Sequence, residues 1–326
     1  MKPPALITED VLSLGQILRE GGLVVFPTET VYGIGASSLN FESCLRIYQI
    51  KNRPSDNPLI AHFSEIEEID RYCILTSEAR SLLEKFSPGP ISLVLNQKGN
   101  SLFPPDRKTI AVRIPSHEKA RELIRASGSP ISAPSANISG KPSLTRRKDV
   151  IDTFQFSVEG ILLGEDPEIG IESTVVDMTG NPPVLLRPGK IRAEEIKQLI
   201  PDLVLPSSVS ENVLPQSPGM KYRHYSPEAE VRIVSDTEFE SSLRNANETQ
   251  GLTFEGKKTA WIGFSFSKLH SEDVILSSNE EYMKELYAFF VEADKRNIEL
   301  CLCQEPKKDG HYLSLMNRLE KAASKR

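Results

Sequence analysis

Residues 26–63 read FPTETVYGIGASSLNFESCLRIYQIKNRPSDNPLIAHF. Their succession of strand, polar turn, helix and charged break decides the fold class. The apolar run Leu23–Phe26 enters a turn carrying Pro27, Thr28, Glu29 and Thr30. Spacing then predicts a helix over Phe41–Ile50: Asn40 is placed to cap it, and Phe41, Cys44, Leu45 and Tyr48 share one face. The helix runs into Lys51-Asn52-Arg53-Pro54, with Asn57 and His62 just beyond. Hydroxyls, two cations, an amide and an imidazole thus fall at the ends of elements, where side chains converge on a cleft rather than a core. The cluster reads as a site for a small polar substrate beside phosphates.

Outward from this stretch, short apolar runs alternate with helical patterns. Further strands are expected at Leu59–His62, Ile91–Leu95, Ile110–Ile114, Pro130–Ala133, Gly160–Leu163, Thr174–Met178 and Val184–Arg187. Further helices are expected at Ile7–Glu20, Ser77–Phe86 (capped by Thr76), Glu118–Ala126 and Ala193–Ile200. Many strands, only some of them separated by helices, describe one mixed sheet covered by helices. Residues 206–227 are rich in Ser and Pro and lack periodicity, which reads as a linker. Met220–Tyr225 is nevertheless too aromatic and cationic for a bare spacer, so this stretch is expected to dock on something. Beyond it, Val231–Val234, Thr259–Phe264, Asp273–Leu276 and Ile298–Cys303 look like strands. Phe239–Asn245, Glu280–Asp294 and Tyr312–Ala323 look like helices, which gives a small, largely parallel α/β unit. The expected division is 1–205, 206–227 and 228–326.

The chain has 326 residues, 39% hydrophobic and 26% charged, which is the composition of a globular protein with room for two domains. No apolar run approaches the ~20 residues of a membrane span and no signal-peptide pattern is present, so a cytoplasmic location is expected. Cys44, Cys73, Cys301 and Cys303 form no CxxC pair and read as buried thiols, the last two on one face of a strand. A net charge of −6 argues against a general nucleic-acid coat but leaves room for a local cationic pocket. Arg146-Arg147-Lys148 reads as a solvated face.

There is no GxxxxGK[ST] loop, and Gly33-Ile34-Gly35 lacks the third glycine of a dinucleotide fingerprint, so it reads as a tight turn. Lys51 and Arg53 suit a polyphosphate, or else complement the helix dipole, worth ~0.3–1 kcal/mol. Arg113 shares a strand face with the small Ala111, leaving space for a ligand carboxylate, or else faces solvent. Ser132–Gly140 supplies hydroxyls and amides in a loop that a substrate can approach closely, or is a simple turn. Ser173 precedes a strand, Arg187 ends one before Pro188, and His62 closes a third. No Ser-His-Asp set and no paired carboxylates are evident. Chemistry built from such groups works by positioning and charge neutralisation, as in phosphoryl or nucleotidyl transfer.

Taken together, FPTETVYGIG, IKNRPSDNPLIAH, SPGPISLVL, IAVRIPSH, ISAPSANISGKPS, IESTVVD, VLLRPGKI, SPGMKYRHYSP and LMNRLEKAA resemble, in order, the segments of the YrdC-type threonylcarbamoyl-AMP synthases in their long form. The resemblance implies a YrdC-like twisted mixed sheet flanked by helices, plus a small Rossmann-like parallel α/β C-terminal domain. It implies condensation of L-threonine, bicarbonate or CO2, and ATP to threonylcarbamoyl-AMP with release of pyrophosphate, Mg²⁺ accompanying ATP. The product would pass to a separate transferase that modifies adenosine in tRNA, with no stable nucleic-acid binding by this chain. Lys51, Arg53, Ser135 and Asn137 match the family's KxR…SxN signature. Thr30, His62, Arg113, Ala133 and Ser173 would hold threonine, Arg113 on its carboxylate and Ala133 through its backbone. Arg53, Asn57, Thr109, Ser135, Ser143 and Arg187 would hold ATP, and Tyr225 would fold over the pocket as a lid. Ala133 offers no hydroxyl, and the region from Glu228 onward matches least. Two alternatives compete: an RNA-binding or ribosome-maturation protein, which would want a broad basic surface, and a carbamoyl-transfer module of the kind found in hydrogenase-maturation proteins, which carry further units absent here.

Overall fold

The computed structural model describes residues 3–99, 101–205, 225–248, 253–264 and 273–324. The first part of the chain contains β1 (Leu6–Thr8), α1 (Val11–Arg19), β2 (Val24–Phe26), β3 (Gly33–Ser37), α2 (Phe41–Lys51), β4 (Ile60–His62), α3 (Ile66–Tyr72), α4 (Ser77–Phe86), β5 (Ile91–Asn96) and β6 (Thr109–Arg113). It continues with α5 (Glu118–Ser127), β7 (Ile131–Ala133), α6 (Arg147–Phe154), β8 (Gly160–Leu162), β9 (Thr174–Asp177), β10 (Val184–Arg187) and α7 (Ala193–Lys197). The remainder holds β11 (Glu230–Val234), α8 (Asp236–Glu248), β12 (Thr253–Phe254), β13 (Lys257–Phe264), β14 (Val274–Leu276), α9 (Asn279–Lys295), β15 (Leu300–Gln304) and α10 (Tyr312–Ala323).

Ten strands form one mixed sheet in the order β1-β8-β2-β3-β7-β4-β6-β5-β9-β10. Parallel pairs (β4 with β6, β5 with β9) alternate with antiparallel ones (β4 with β7, β5 with β6). Helices cover it: α1 and α5 pack together over Leu14, Leu18, Leu123 and Ile124, while α4 buries Ala79, Leu82 and Leu83 against β5 and β6. In the second sheet β15 lies between β11 and β13 and parallel to both, β14 adds a further parallel pairing, and only β12 runs antiparallel. The mixed first sheet and largely parallel second sheet are the expected α/β architecture.

The caps hold as read from the sequence. Asn40 accepts from Ser43 N–H at 3.0 Å and Thr76 from Ala79 N–H at 3.2 Å. Cys301 and Cys303, both on β15, are buried in one core cluster, as expected of two residues on one strand face. Arg146, Arg147 and Lys148 are exposed, as expected for a solvated face. Two readings are corrected. The predicted helix Ile7–Glu20 starts only at Val11, because Asp10 caps it (Leu12 N–H to Oδ1, 2.9 Å) and Leu6–Thr8 instead pairs with Gly160–Leu162. Gly33-Ile34-Gly35 is not a turn but strand β3, paired with β2 and β7. A β-carbon on Gly35 would stand 2.5 Å from Ile131 Cγ2 and 2.8 Å from the Phe26 ring, so glycine here allows close packing rather than an unusual backbone.

The two sheets share apolar contacts. The cluster around α9, α10 and β13 takes in Val31, Ile171 and Tyr225 as well as Ile262, Met283, Tyr287 and Leu315. No helix among the described residues is long and apolar enough to cross a membrane.

Candidate active site

A single strand order gathers the loops named from the sequence. The turn after β2, the end of α2, the ends of β4 and β6, the loop after β7, the loop before β9 and the end of β10 open onto one cavity of about 50 Å³, with Tyr225 in its lining. Such a volume holds a few water molecules.

Lys51 is 1% exposed although it is a lysine. Its Nζ donates to the carbonyls of Ser135 (2.5 Å) and Asn137, and to Asn137 Oδ1 (3.1 Å). Burial, and secondarily the charge of Arg53, pull its pKa well below the usual lysine value. Three oxygens around the nitrogen are nonetheless what an ammonium with three protons requires. Ser135 Oγ donates to Asn137 Oδ1 (2.7 Å), and Asn137 Nδ2 donates to the carbonyls of Ile138 and Lys141. Lys51, Ser135 and Asn137 therefore brace one another and the loop at the wall of the cavity. Arg53 follows Asn52, a helix-ending residue in the left-handed region (φ 50°), and donates to the carbonyls of Asn57 and Pro58. Burial lowers its pKa to about 10.

His62 turns Nδ1 toward the carbonyls of Ile60 (3.0 Å) and Ile131 (3.3 Å), which assigns the proton to Nδ1 and leaves Nε2 an acceptor. Burial first, and Arg113 second, hold its pKa at about 3, so the ring is neutral. Arg113 is buried, not solvent-facing. Its Nη2 donates to Glu29 Oε1 at 2.7 Å, while Arg113 Nε and Glu29 Oε2 are buried without a hydrogen-bond partner. An unspent donor on a desolvated guanidinium is a ready contact for a ligand anion. Arg187 donates to the Ser173 carbonyl (3.0 Å) and hydroxyl (3.2 Å), and Ser173 Oγ lies 2.8 Å from Ser92 Oγ. Tyr225, in the left-handed region at φ 70°, stacks on Tyr287 with ring centroids 5.4 Å apart.

Of the residues singled out from the sequence, Lys51, Arg53, His62, Arg113, Ala133 and Ser135 line the cavity, and so do Asn137, Ser173, Arg187 and Tyr225. Four do not line it. Thr30 stands one step back, 2.9 Å from Thr28 Oγ1, and Thr28 is the hydroxyl that faces the cavity. Ser143 is buried behind Glu172, to which it donates at 2.6 Å. Asn57 presents its backbone carbonyl to Arg53 and Tyr48. Thr109 opens β6, at the opposite end from Arg113 and so roughly 13 Å along the strand. Met220–His224 lies outside the described residues. Reading the sequence alone did not single out Glu172 as a lining residue or Glu29 as the partner of Arg113. The signal for both was a carboxylate inside a motif otherwise made of hydroxyls.

The balance of charge is the strongest physical feature. Lys51, Arg53, Arg113 and Arg187 line the cavity, against a single lining carboxylate, Glu172, among the described residues. Behind Tyr225, burial and the charges of Arg318 and Arg187 depress the pKa of Lys321 to about 7. Burial is the first cause of the lowered pKa at Lys51, Arg53, Arg187 and Lys321, and an anion brought among them would favour their charged forms.

The chain as a whole is similar to known proteins. The family described as "Telomere recombination" (Sua5, YciO, YrdC) matches residues 16–189, and that described as "Threonylcarbamoyl-AMP synthase, C-terminal domain" matches 191–324. The threonylcarbamoyl-AMP synthase of Pyrococcus abyssi is 39% identical over 95% of this chain and 92% of its own length. That of Bacillus subtilis is 37% identical over the same shares. The structure of P. abyssi Sua5 complexed with L-threonine superposes with a TM-score of 0.86, at 37% identity, covering 98% of this chain and 97% of that one.

Proposed function

Since this chain belongs to the threonylcarbamoyl-AMP synthase family, we propose that it condenses L-threonine, bicarbonate or CO2, and ATP into threonylcarbamoyl-AMP and releases pyrophosphate, as a nucleotidyltransferase supplying the modification of adenosine in tRNA. The observation that carries this reading is the convergence of four buried cations, one with an unspent donor, on a cavity shared with a neutral imidazole and short hydroxyls.

In this reading Arg113 Nε, buried without a partner, takes the threonine carboxylate; L-threonine is the ligand named in the complex of the P. abyssi relative. Ser173 and the backbone at Ala133 border the amino acid, and Thr30 acts through Thr28. With a pKa of about 3, His62 is a poor base, so its Nε2 accepts a hydrogen bond from the amine rather than a proton. Bicarbonate enters as CO2 after losing water; the amine nitrogen bonds to its carbon as one C–O π pair moves onto oxygen, and the amine proton passes to water, giving the carbamate. A carbamate oxygen then attacks the α-phosphorus, and the bond from that phosphorus to the bridging oxygen breaks, releasing pyrophosphate. Arg53 and Arg187 neutralise charge on the phosphates and Ser135 turns its hydroxyl to a phosphate oxygen, with Asn57 and Ser143 supporting them from behind. Thr109, at the far end of β6 from Arg113, would meet the part of ATP distal to the reacting phosphate. Tyr225 would act as the lid that excludes water, since carbamate and mixed anhydride both hydrolyse.

Mg²⁺ enters this proposal as the companion of the triphosphate. Among the described residues no group of three His, Cys, Asp or Glu side chains is suited to holding a metal, and Glu172 is already engaged by Ser143, Tyr287 and Arg318. The donor set does not fit a protein-held metal, and phosphate oxygens with water would supply its ligands. The alternative of a nucleic-acid binder finds little support, because the site's cations are buried rather than spread over a surface. The test is pyrophosphate release by the purified protein with ATP, Mg²⁺ and bicarbonate. Release that requires threonine and weakens with serine supports the proposal; no release under any combination refutes it.

A further inference from the structure

The carboxylate of Glu172 sits where the two sheets' units meet. Its Oε1 accepts from Ser143, while Oε2 accepts from Tyr287 OH on α9 (2.9 Å) and from Arg318 Nε on α10 (3.3 Å). Arg318 continues past it: Nη2 donates to the Glu172 carbonyl (3.2 Å) and Nη1 to the Pro188 carbonyl (2.7 Å), next to Arg187. One rigid guanidinium fork therefore spans the two loops that carry Ser173 and Arg187 into the cavity. Arg318 and Tyr287 are both 0% exposed, and the Tyr225 ring lies against both of them.

A buried ion pair is a poor means of merely gluing two units together. Its desolvation largely offsets its attraction, and apolar residues of similar volume often serve as well. What apolar residues do not supply is a fixed orientation for a carboxylate and two carbonyls. The ion pairs at the rim of the same boundary, Lys295–Asp149 and Arg146–Glu285, join the units without touching the pocket.

We propose that Arg318 and Tyr287 are positioning residues, through which the C-terminal unit completes the active site by fixing Glu172 and, with it, Ser143 and the Ser173 and Arg187 loops. The proposal deepens the synthase reading and rests on it for its kinetic consequences. Its test compares Arg318→Met, Arg318→Lys, Tyr287→Phe and the rim variant Lys295→Ala in the full-length protein. The readouts are kcat and KM for ATP and threonine, with hydrogen exchange at residues 140–145 and 171–175. A loosened support shell costs about 10²-fold in kcat/KM for Arg318→Met, and the lost hydroxyl about 10-fold for Tyr287→Phe. Arg318→Lys recovers part of the loss, and Lys295→Ala stays within about twofold of wild type. Exchange in the two segments rises in Arg318→Met while the rest of the large sheet is unchanged. Unaltered kcat/KM in a folded Arg318→Met overturns the proposal, as does an equal loss in Lys295→Ala, which would make the contact simple docking. If Arg318→Met does not fold, Tyr287→Phe carries the same comparison. If the wild-type protein releases no pyrophosphate, the synthase reading fails by itself. Hydrogen exchange then decides the positioning claim alone, and unchanged exchange overturns it.

Discussion

Neutralising Glu29 should unbalance the pocket far more than neutralising an exposed carboxylate. The Arg113–Glu29 pair is 2.7 Å apart with side chains 5% and 4% exposed, so Glu29→Gln leaves a guanidinium charge in a nearly dry site. At a charge separation of ~4 Å and an effective dielectric of ~20, the lost attraction is about 4 kcal/mol. The amide oxygen of Gln still accepts one hydrogen bond, which brings the expected loss to about 3 kcal/mol, the low end for breaking a buried pair. Arg232–Glu255 is the internal control: it is 3.0 Å apart with side chains 34% and 52% exposed, and Glu255→Gln should cost about 0–1 kcal/mol. The double variant Glu29→Met/Arg113→Met should recover most of the stability while abolishing threonine-dependent turnover, because neither charge is then stranded. Urea unfolding followed by far-ultraviolet circular dichroism reads all four proteins. If Glu29→Gln costs no more than Glu255→Gln, or the double variant is less stable than Glu29→Gln, the assignment of a desolvated, mutually dependent pair is wrong.

Other outcomes follow from the same geometry. With a folded-state pKa of about 3 against 6.5 unfolded, His62 leaves the unfolded chain binding more protons between these values, so stability rises with pH across that window and is lost as pH falls. The loss is about 2 kcal/mol at pH 5. Unfolding curves at pH 7.5 and 5 should show it in wild type and not in His62→Gln; parallel pH profiles would contradict it. Arg53→Ala should abolish ATP turnover in a protein whose circular dichroism is unchanged, and normal turnover would remove its phosphate role. Tyr225→Ala should uncouple ATP consumption from product, measured as pyrophosphate released per threonylcarbamoyl-AMP formed; an unchanged ratio would sink the lid. Gly35→Ala should lower stability by about 1–3 kcal/mol through overpacking against Ile131 and Phe26, and a neutral effect in thermal unfolding would argue against the placement of β3.

What the sequence determined by itself is what near neighbours decide. Asn40 and Thr76 cap helices because their side-chain oxygens reach an N–H three residues on, and apolar runs such as Ile91–Leu95 become strands because both faces are to be buried. The polar loops between them were legible as a site because hydroxyls and cations gathered at element ends in an order shared with a known family. β1 and β3 escaped notice for local reasons too: Leu6–Thr8 is a short edge strand with half its apolar surface exposed, and Gly33-Ile34-Gly35 has glycines where a strand pattern expects side chains. Tertiary structure alone decided the partners. Glu29 meets Arg113 across 84 residues, and Glu172 meets Arg318 across 146. Such pairs exist only because the turn after β2 reaches the end of β6 and Arg318 on α10 reaches the loops before β9 and after β10. No spacing in the sequence encodes them, since a charge buried against a distant partner has the same neighbours along the chain as one facing water.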